Sequence, residues 1–355
     1  MKICLLGDTH FGIRNDSKNF HEFYEKFYST VLIPYLEQNG IDTIIQLGDL
    51  FDRRKYINFV SLTESRRYFF DILKEKNIKL HALIGNHDIF WKHSLAVNSP
   101  DLLLRDYDNI TLWQKHGTLY LDDFAIDMIP WICNENEQEI LDFIANSRSP
   151  YCAGHFELKG FPLMKGVESH DGTDSKFLDR YDAVYSGHYH TQSHEGNVRY
   201  LGTPYELFWS DYKDPKGFFI FDTDTRKLEF VDNPLRMFYK LQYDDSNEEN
   251  VKNIDVQRFA DAYVKVIVLN KQNPYLFDKL LDSLYKVNPI DVTIVEDFTE
   301  ANLEEIDSDL INQAEDTMTI LSNYIDQQNV NVNATKLKSL MREIYVEALS
   351  TENIE

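Results

Sequence analysis

Cysteine is scarce in this chain. Cys4, Cys133 and Cys152 are scattered over 355 residues, so neither a disulfide framework nor a CxxC zinc site is expected. No stretch approaches the roughly 18 consecutive apolar residues that a membrane helix needs. The opening Met1-Lys2-Ile3-Cys4-Leu5-Leu6 is too short for a signal peptide before Gly7-Asp8 interrupts it. A reducing cytoplasm is the expected compartment. A basic excess is also missing: 36 Lys and Arg stand against 59 Asp and Glu, a net charge of -23, which argues against a general nucleic-acid binder. That deficit does not touch metal chemistry, because clustered carboxylates are also ligands. Internal repeats and low-complexity tracts are absent too.

What is present is a globular composition, 43% hydrophobic and 27% charged, in a chain long enough for one large core and a smaller domain. The first two-thirds alternate short apolar strands with amphipathic helices, the pattern of a layered α/β domain. Strands are expected at 2–6, 43–47, 80–84, 124–129, 151–153 and 183–185, and a hairpin at 217–222 and 227–231 turns on Asp224-Thr225. One helix carries Phe20, Phe23, Tyr24, Phe27 and Val31 on a single face and stops at Gly40; another carries Leu62, Phe69, Phe70 and Leu73. The polar stretch 244–253 reads as a linker or long loop. Beyond it, 263–269, a helix over 274–286 and 291–295 form a β-α-β pattern. From Glu300 the chain turns acidic and helical, with Leu337, Leu340, Met341, Ile344 and Ala348 on one stripe.

Five polar clusters each follow an expected strand: Asp8-Thr9-His10, Gly48-Asp49-Leu50-Phe51-Asp52, Gly85-Asn86-His87-Asp88, Gly154-His155-Phe156-Glu157 and Gly187-His188-Tyr189-His190. Strand ends in an α/β sheet gather at one edge, where ligands bind. Side chains at i and i+2 of extended chain point the same way, so Asp8 with His10, and His188 with His190, can share a target. The donor set mixes carboxylate, imidazole and one amide without thiolate. Such a mix suits Mn²⁺ or Fe²⁺, with Zn²⁺ as an alternative, better than an all-oxygen Mg²⁺ site or a thiolate zinc site, though Mg²⁺ stays among the candidate ions. Two ions roughly 3.5–4 Å apart would share a bridging carboxylate. Asp49, central among the clusters, is the natural bridge. Asp8, His10, Asp49 and His190 are assigned to one ion, and Asp49, Asn86, His155 and His188 to the other. His87 is left to contact phosphate or protonate the leaving oxygen, with Asp88 orienting its imidazole. Each cluster alone is more often a turn or an ordinary core histidine; the ordered set of five carries the reading.

The set Asp-x-His, Gly-Asp-x-x-Asp, Gly-Asn-His-Asp, Gly-His and Gly-His-x-His resembles the calcineurin-like metallophosphoesterases. Asp88, where protein phosphatases carry Glu, and the segment Tyr200-Leu201-Gly202-Thr203-Pro204 make it similar to the SbcD-type double-strand-break repair nucleases, especially those of large tailed phages. The resemblance implies an α/β fold: a layered β-sandwich core flanked by helices (1–233), a small α+β capping domain (234–298) and an acidic helical tail (299–355). It further implies a Mn²⁺-dependent 3′–5′ exonuclease on duplex ends and endonuclease on single strands. It also implies assembly, as a homodimer within a heterotetramer, with an SMC-like, SbcC-type ATPase, in the host cytoplasm for a phage protein. Some members have His where Asp52 stands, so Asp52 is given a supporting role only. The alternatives are a phosphatase or cyclic-nucleotide phosphodiesterase on the same two-metal centre, and an inactive scaffold for the ATPase.

Arg14, Arg53, Arg54 and Lys55 adjoin the first two clusters and are candidate contacts to the DNA backbone, against the alternative of a solvated loop. Phe90 and Trp91 suit base stacking less than core or dimer packing. Phe156 and Tyr189 are expected to wall the site. His21, His81, His93, His116, His170 and His194 lie outside every motif and read as ordinary. Leu337, Leu340, Met341 and Ile344 are candidates for docking on the ATPase. The segments 61–73 and 95–104, both read as helical, are candidates for a dimer surface.

Overall fold

The computed structural model describes residues 1–164, 167–169 and 172–296. Residues 1–207 and 211–297 belong to one compact unit. The tail positions Leu337, Leu340, Met341 and Ile344 lie outside the described residues. Among those described, no helix is long and apolar enough to cross a membrane.

Two six-stranded sheets form the core. The first runs in the order Lys227–Asp232, Gly217–Asp222, Lys2–Leu6, Thr43–Gln46, Lys79–Leu83, Ile110–Trp113. Its last four strands are parallel, and Gly217–Asp222 is antiparallel to Lys2–Leu6. The second runs Ser193–Glu195, Val198–Tyr200, Ala183–Gly187, Tyr151–His155, Phe124–Ile129, Gly117–Leu121. The central strands of the first sheet carry apolar side chains on both faces because both faces are covered. Ile3, Leu5, Ile45, Leu47 and Leu83 pack inward against Ile126, Met128, Ala153 and Tyr185 of the second sheet. Cys4, Leu6 and Ile44, at the alternate positions, are buried on the opposite face. On the far side of the second sheet, Ile140 and Ile144 of the helix Glu137–Asn146 pack on Cys152, Val184 and Tyr200.

The helices covering the first sheet each contain one π-helical turn, Tyr28–Leu32 in residues 18–39 and Arg66–Phe70 in residues 59–75. Asn58 caps the second helix by accepting from Val60 N, and Gly40 at φ 63° ends the first. The two π-helical turns meet: the Tyr28 ring lies 4.4 Å from that of Phe69. Phe11, next to the first polar cluster, inserts among Tyr24, Tyr28, Phe51, Tyr68, Phe69 and Phe70, with centroids 5.6–6.2 Å away. Rings at such spacings add attraction beyond their burial, so the loop after the first strand is anchored from behind.

The stretch 244–253 is not the expected linker. Phe238–Asp244 is a strand, Asn247 caps a short helix Glu248–Lys252, and Val251 is buried. Phe238–Asp244, Tyr263–Asn270 and Asp291–Val295 form a parallel three-stranded sheet, covered by the helix Pro274–Lys286 through Phe277, Leu280 and Leu284. The first of these strands was hidden because its polar end blends into the acidic run that follows. Residues 95–98 likewise belong to a strand, Ser94–Asn98, and only Ser99–Leu104 is helical. The Glu206 carboxylate accepts from the Met237 and Phe238 amides at 2.6 and 3.0 Å, and Phe20 packs on Phe238 and Tyr263. These contacts tie the smaller sheet to the core.

Candidate metal centre

The parallel strands of both sheets bring their C-terminal ends to one edge. Asp8, Asp49 and Asn86 leave the ends of Lys2–Leu6, Thr43–Gln46 and Lys79–Leu83; His155 ends its strand, and His188 follows Gly187. Parallel pairing sets Gly187 beside His155. Three of the gathered residues hold left-handed backbone: His10 at φ 45°, Asp49 at 53° and His188 at 86°. Each such residue costs on the order of 1–3 kcal/mol, and persists where surrounding structure dictates it. Here the Asp49 carbonyl accepts from both Thr9 N and His10 N at 3.1 Å, and the Asp8 carboxylate accepts from His188 N at 2.9 Å.

Beside a cluster of His10, Asp52 and His87, two further groups of donor atoms result. In one, His10 Nε2 stands 3.0 Å from His190 Nε2, which lies 3.7 Å from Asp8 Oδ2. In the other, Asn86 Oδ1 is 2.9 Å from both His155 Nε2 and His188 Nδ1, and Asp49 Oδ2 is 3.3 Å from His155 Nε2. The His155 Nδ1–H donates to Leu47 O at 2.7 Å, so its Nε2 lone pair is turned toward these oxygens. Asp49 Oδ2 also lies 3.9 Å from His10 Nε2, while Oδ1 accepts from His87 N at 2.8 Å. One carboxylate therefore faces both groups.

Lone pairs crowded at such distances need positive charge among them. Donor atoms about 2.1 Å from an ion, at right angles, lie about 3 Å apart, which is the spacing found. Without an ion, protons are drawn in instead. Burial opposes charge on His155 and His10, yet the surrounding carboxylates win and raise both imidazoles to about 9. Burial raises Asp8 to about 7 against the pull of His155. Burial also opposes charge on Asp49, but His155 and His87 hold its carboxyl well below the usual range. Burial and the neighbouring His155 push His188 down to about 3, and burial with His10 pushes His190 well below the usual imidazole range. The cluster thus gathers positive charge; His10 and His155 would release protons to a bound cation, and the set of carboxylate, imidazole and amide fits a divalent ion.

The calcineurin-like phosphoesterase profile matches residues 1–224. The chain belongs to that family. Among calcineurin-like phosphoesterases and related nucleases, it is 38% identical over 306 residues to exonuclease subunit 1 of Enterobacteria phage T4, covering 84% of this chain and 88% of that one. It is 27% identical to the DNA double-strand break repair protein Mre11 of Sulfurisphaera tokodaii, over 54% of this chain and 49% of the other. It is 25% identical to a subunit of the SbcCD nuclease of Staphylococcus saprophyticus, over 70% and 73%.

Around this phosphoesterase centre, several residues stand elsewhere than expected. Asp88 does not orient His87. Its buried carboxylate accepts from the amides of Gly85, Leu50 and Phe51, at 2.9, 3.3 and 3.2 Å, and so braces the loops carrying Asp49 and Asn86. The partner of His87 is the main chain of Asp52, whose carbonyl lies 2.6 Å from Nδ1. The Asp52 carboxylate instead stands 3.3 Å from His10 Nδ1. Arg53 is held by Asn15, Tyr56 and Asp16; the Arg54 Nε donates to Ile89 O, and the Arg14 Nε to Leu207 O. Three of the four candidate DNA contacts therefore brace loops around the site, and Lys55 is exposed. Phe90 and Trp91 are not core; they are 39% and 45% exposed on the strand Ile89–Trp91, where Ile89 takes the inward position. Tyr189 belongs to the core behind the site, donating to Leu158 O.

Two neighbours carry no sequence signal. Trp131 packs its ring 5.3 Å from that of His188 and 5.9 Å from that of His155. Lys216 reaches the backbone of His190 from a distant loop. Neither lies in a motif, and only a strand-end position after 124–129 would have pointed to the first.

Proposed function

We propose that this chain is a two-metal phosphodiesterase that hydrolyses DNA: a Mn²⁺-dependent 3′–5′ exonuclease on duplex ends and an endonuclease on single strands. The observation that carries the reading is Asp49 Oδ2, placed 3.3 Å from His155 Nε2 and 3.9 Å from His10 Nε2, as a carboxylate shared by two ions would be. The names of the three relatives, each a nuclease or break-repair protein, support DNA as the substrate. One ion is assigned to Asp8, His10, Asp49 and His190, the other to Asp49, Asn86, His155 and His188. Bound ions would polarise the phosphoryl group and supply hydroxide at neutral pH.

The protein's own part is to aim and to move a proton. His87 donates its Nδ1–H to the Asp52 carbonyl, which fixes the ring; as the imidazolium it would present Nε2–H outward to a phosphate oxygen or give that proton to the leaving oxygen. Asp52 beside His10 Nδ1 sets the direction of the His10 lone pair. We assign residues 234–298 to a capping domain and 299–355 to docking on an SMC-like ATPase. Such a partner, in a heterotetramer built on a dimer of this chain, would supply the DNA affinity that a net charge of -23 withholds.

The test is cleavage of blunt duplexes and single-stranded circles with Mn²⁺ or Mg²⁺, with and without the ATPase, beside a nitrophenyl phosphate monoester. Strong monoester turnover without DNA cleavage would establish a phosphatase. No turnover of any substrate, even with the ATPase and Mn²⁺, would leave only a scaffold. Tight DNA binding by the isolated chain would refute the division of labour with the partner.

A further inference from the structure

Beside His155 lies a cavity of about 160 Å³ that the chemistry above leaves unused. Trp131, Phe156, Phe177 and Leu158 line it, together with Glu137 and Glu157. Trp131 joins it to the metal centre, since its indole packs against the rings of His188 and His155. The backbone beneath that indole is fixed: Trp131 N donates to Ile84 O at 2.8 Å, and Asn136 Nδ2 donates to the Trp131 carbonyl at 3.0 Å. Among the described residues, no Lys or Arg lines the cavity, while two carboxylates do. Such a lining repels phosphate. It suits a flat, uncharged ring whose faces are apolar and whose edge carries N–H donors, and it has space for a ring system rather than a whole nucleotide.

We infer that this cavity receives a single nucleobase, that of a nucleotide adjoining the scissile phosphate, stacked on Trp131 with its N–H-bearing edge toward Glu137 and Glu157. The inference rests on the DNA-nuclease reading and deepens it: the enzyme grips a base that has left its stack, next to the bond it cuts. Stacking on an aromatic ring accepts any base, so the pocket gives purchase without strict sequence preference. It also places a neutral anchor in a chain too acidic to hold DNA by its backbone alone.

The experiment is Mn²⁺-supported cleavage of matched duplexes in which the nucleotide on one or the other side of the scissile phosphate is replaced by an abasic tetrahydrofuran. Wild type is compared with Trp131→Ala and Trp131→Phe. The abasic site on one side lowers wild-type kcat/KM roughly tenfold, the scale of one base–aromatic stack. Trp131→Ala shows a like loss on the intact duplex and no further loss on the abasic one, and Trp131→Phe keeps most of the activity. Wild-type cleavage indifferent to abasic sites on both sides overturns the base pocket and leaves the nuclease reading standing. Failure to cleave either duplex even with the ATPase partner present overturns the nuclease reading, and the pocket with it. The decisive comparison uses wild type, so a variant that fails to fold cannot mask the result.

Discussion

The ammonium of Lys216, wholly buried, donates to the backbone carbonyl of His190 at 2.7 Å. Lysine is almost never fully buried unless paired. Here Asp211 and Asp214 supply the pairing, at 2.8 and 3.0 Å. Burial opposes its charge, but the two carboxylates prevail and hold it above the usual lysine range. Together with Thr203 N, which donates to the same carbonyl at 3.1 Å, this ammonium fixes the backbone of the last histidine of the candidate metal centre.

Replacing Lys216 by Met strands two buried carboxylates. Removing one partner of a buried ion pair costs about 3–5 kcal/mol. Urea unfolding should show a loss of that order, and calorimetric titration with Mn²⁺ should show one of two binding events weakened. Unchanged metal binding would show that the His190 carbonyl needs no such support.

Asp49→Ala and His87→Ala should separate binding from chemistry. Removal of the shared carboxylate is expected to abolish binding of both ions, visible as missing anomalous scattering peaks. His87→Ala should keep both ions and lose about 10²–10⁴-fold in cleavage rate, the range for one positioned proton donor. Loss of metal in the His87 variant would make that residue a ligand.

Gly85→Ala alters no candidate ligand, yet its new methyl group would collide with the Asp49 carboxylate and amide. We expect Mn²⁺ affinity to fall as far as in Asp49→Ala while thermal unfolding stays cooperative. Normal affinity would mean that the loop carrying Asp49 can yield.

Glu206 gives a pH test away from the metals. Burial raises its carboxyl to about 7, against the donations from Met237 and Phe238. A raised folded-state value means the folded chain holds the proton more tightly than the unfolded one. Its contribution is therefore complete below pH 4.5 and is lost as pH rises through about 7. Glu206→Gln should remove about 3 kcal/mol of that pH dependence, measured as urea midpoints of both proteins from pH 4 to 8. Parallel curves would sink the argument.

The residues of the candidate centre were legible before any coordinates because strand-end clusters are local signals. Asp-x-His and Gly-His-x-His are short, and a parallel sheet converges their strand ends whatever the loop lengths between. Strands missed for being short or polar at one end include Ile89–Trp91, Ser94–Asn98, Ile110–Trp113, Gly117–Leu121, Ser193–Glu195, Val198–Tyr200 and Phe238–Asp244. Period-two patterning over three to seven residues does not separate such segments from loops.

The sequence by itself determined the candidate ligand types, their order and the layered fold, since each follows from residue identity and local periodicity. Only the tertiary structure decided the partners of those residues: Asp88 on backbone amides rather than on His87, Arg53 on Asp16, Lys216 under His190, Trp131 against His155. Most of those pairings join positions far apart along the chain. A hydrogen bond is chosen by which donor and acceptor the packed core leaves within about 3 Å of each other, and spacing along the chain does not record that distance.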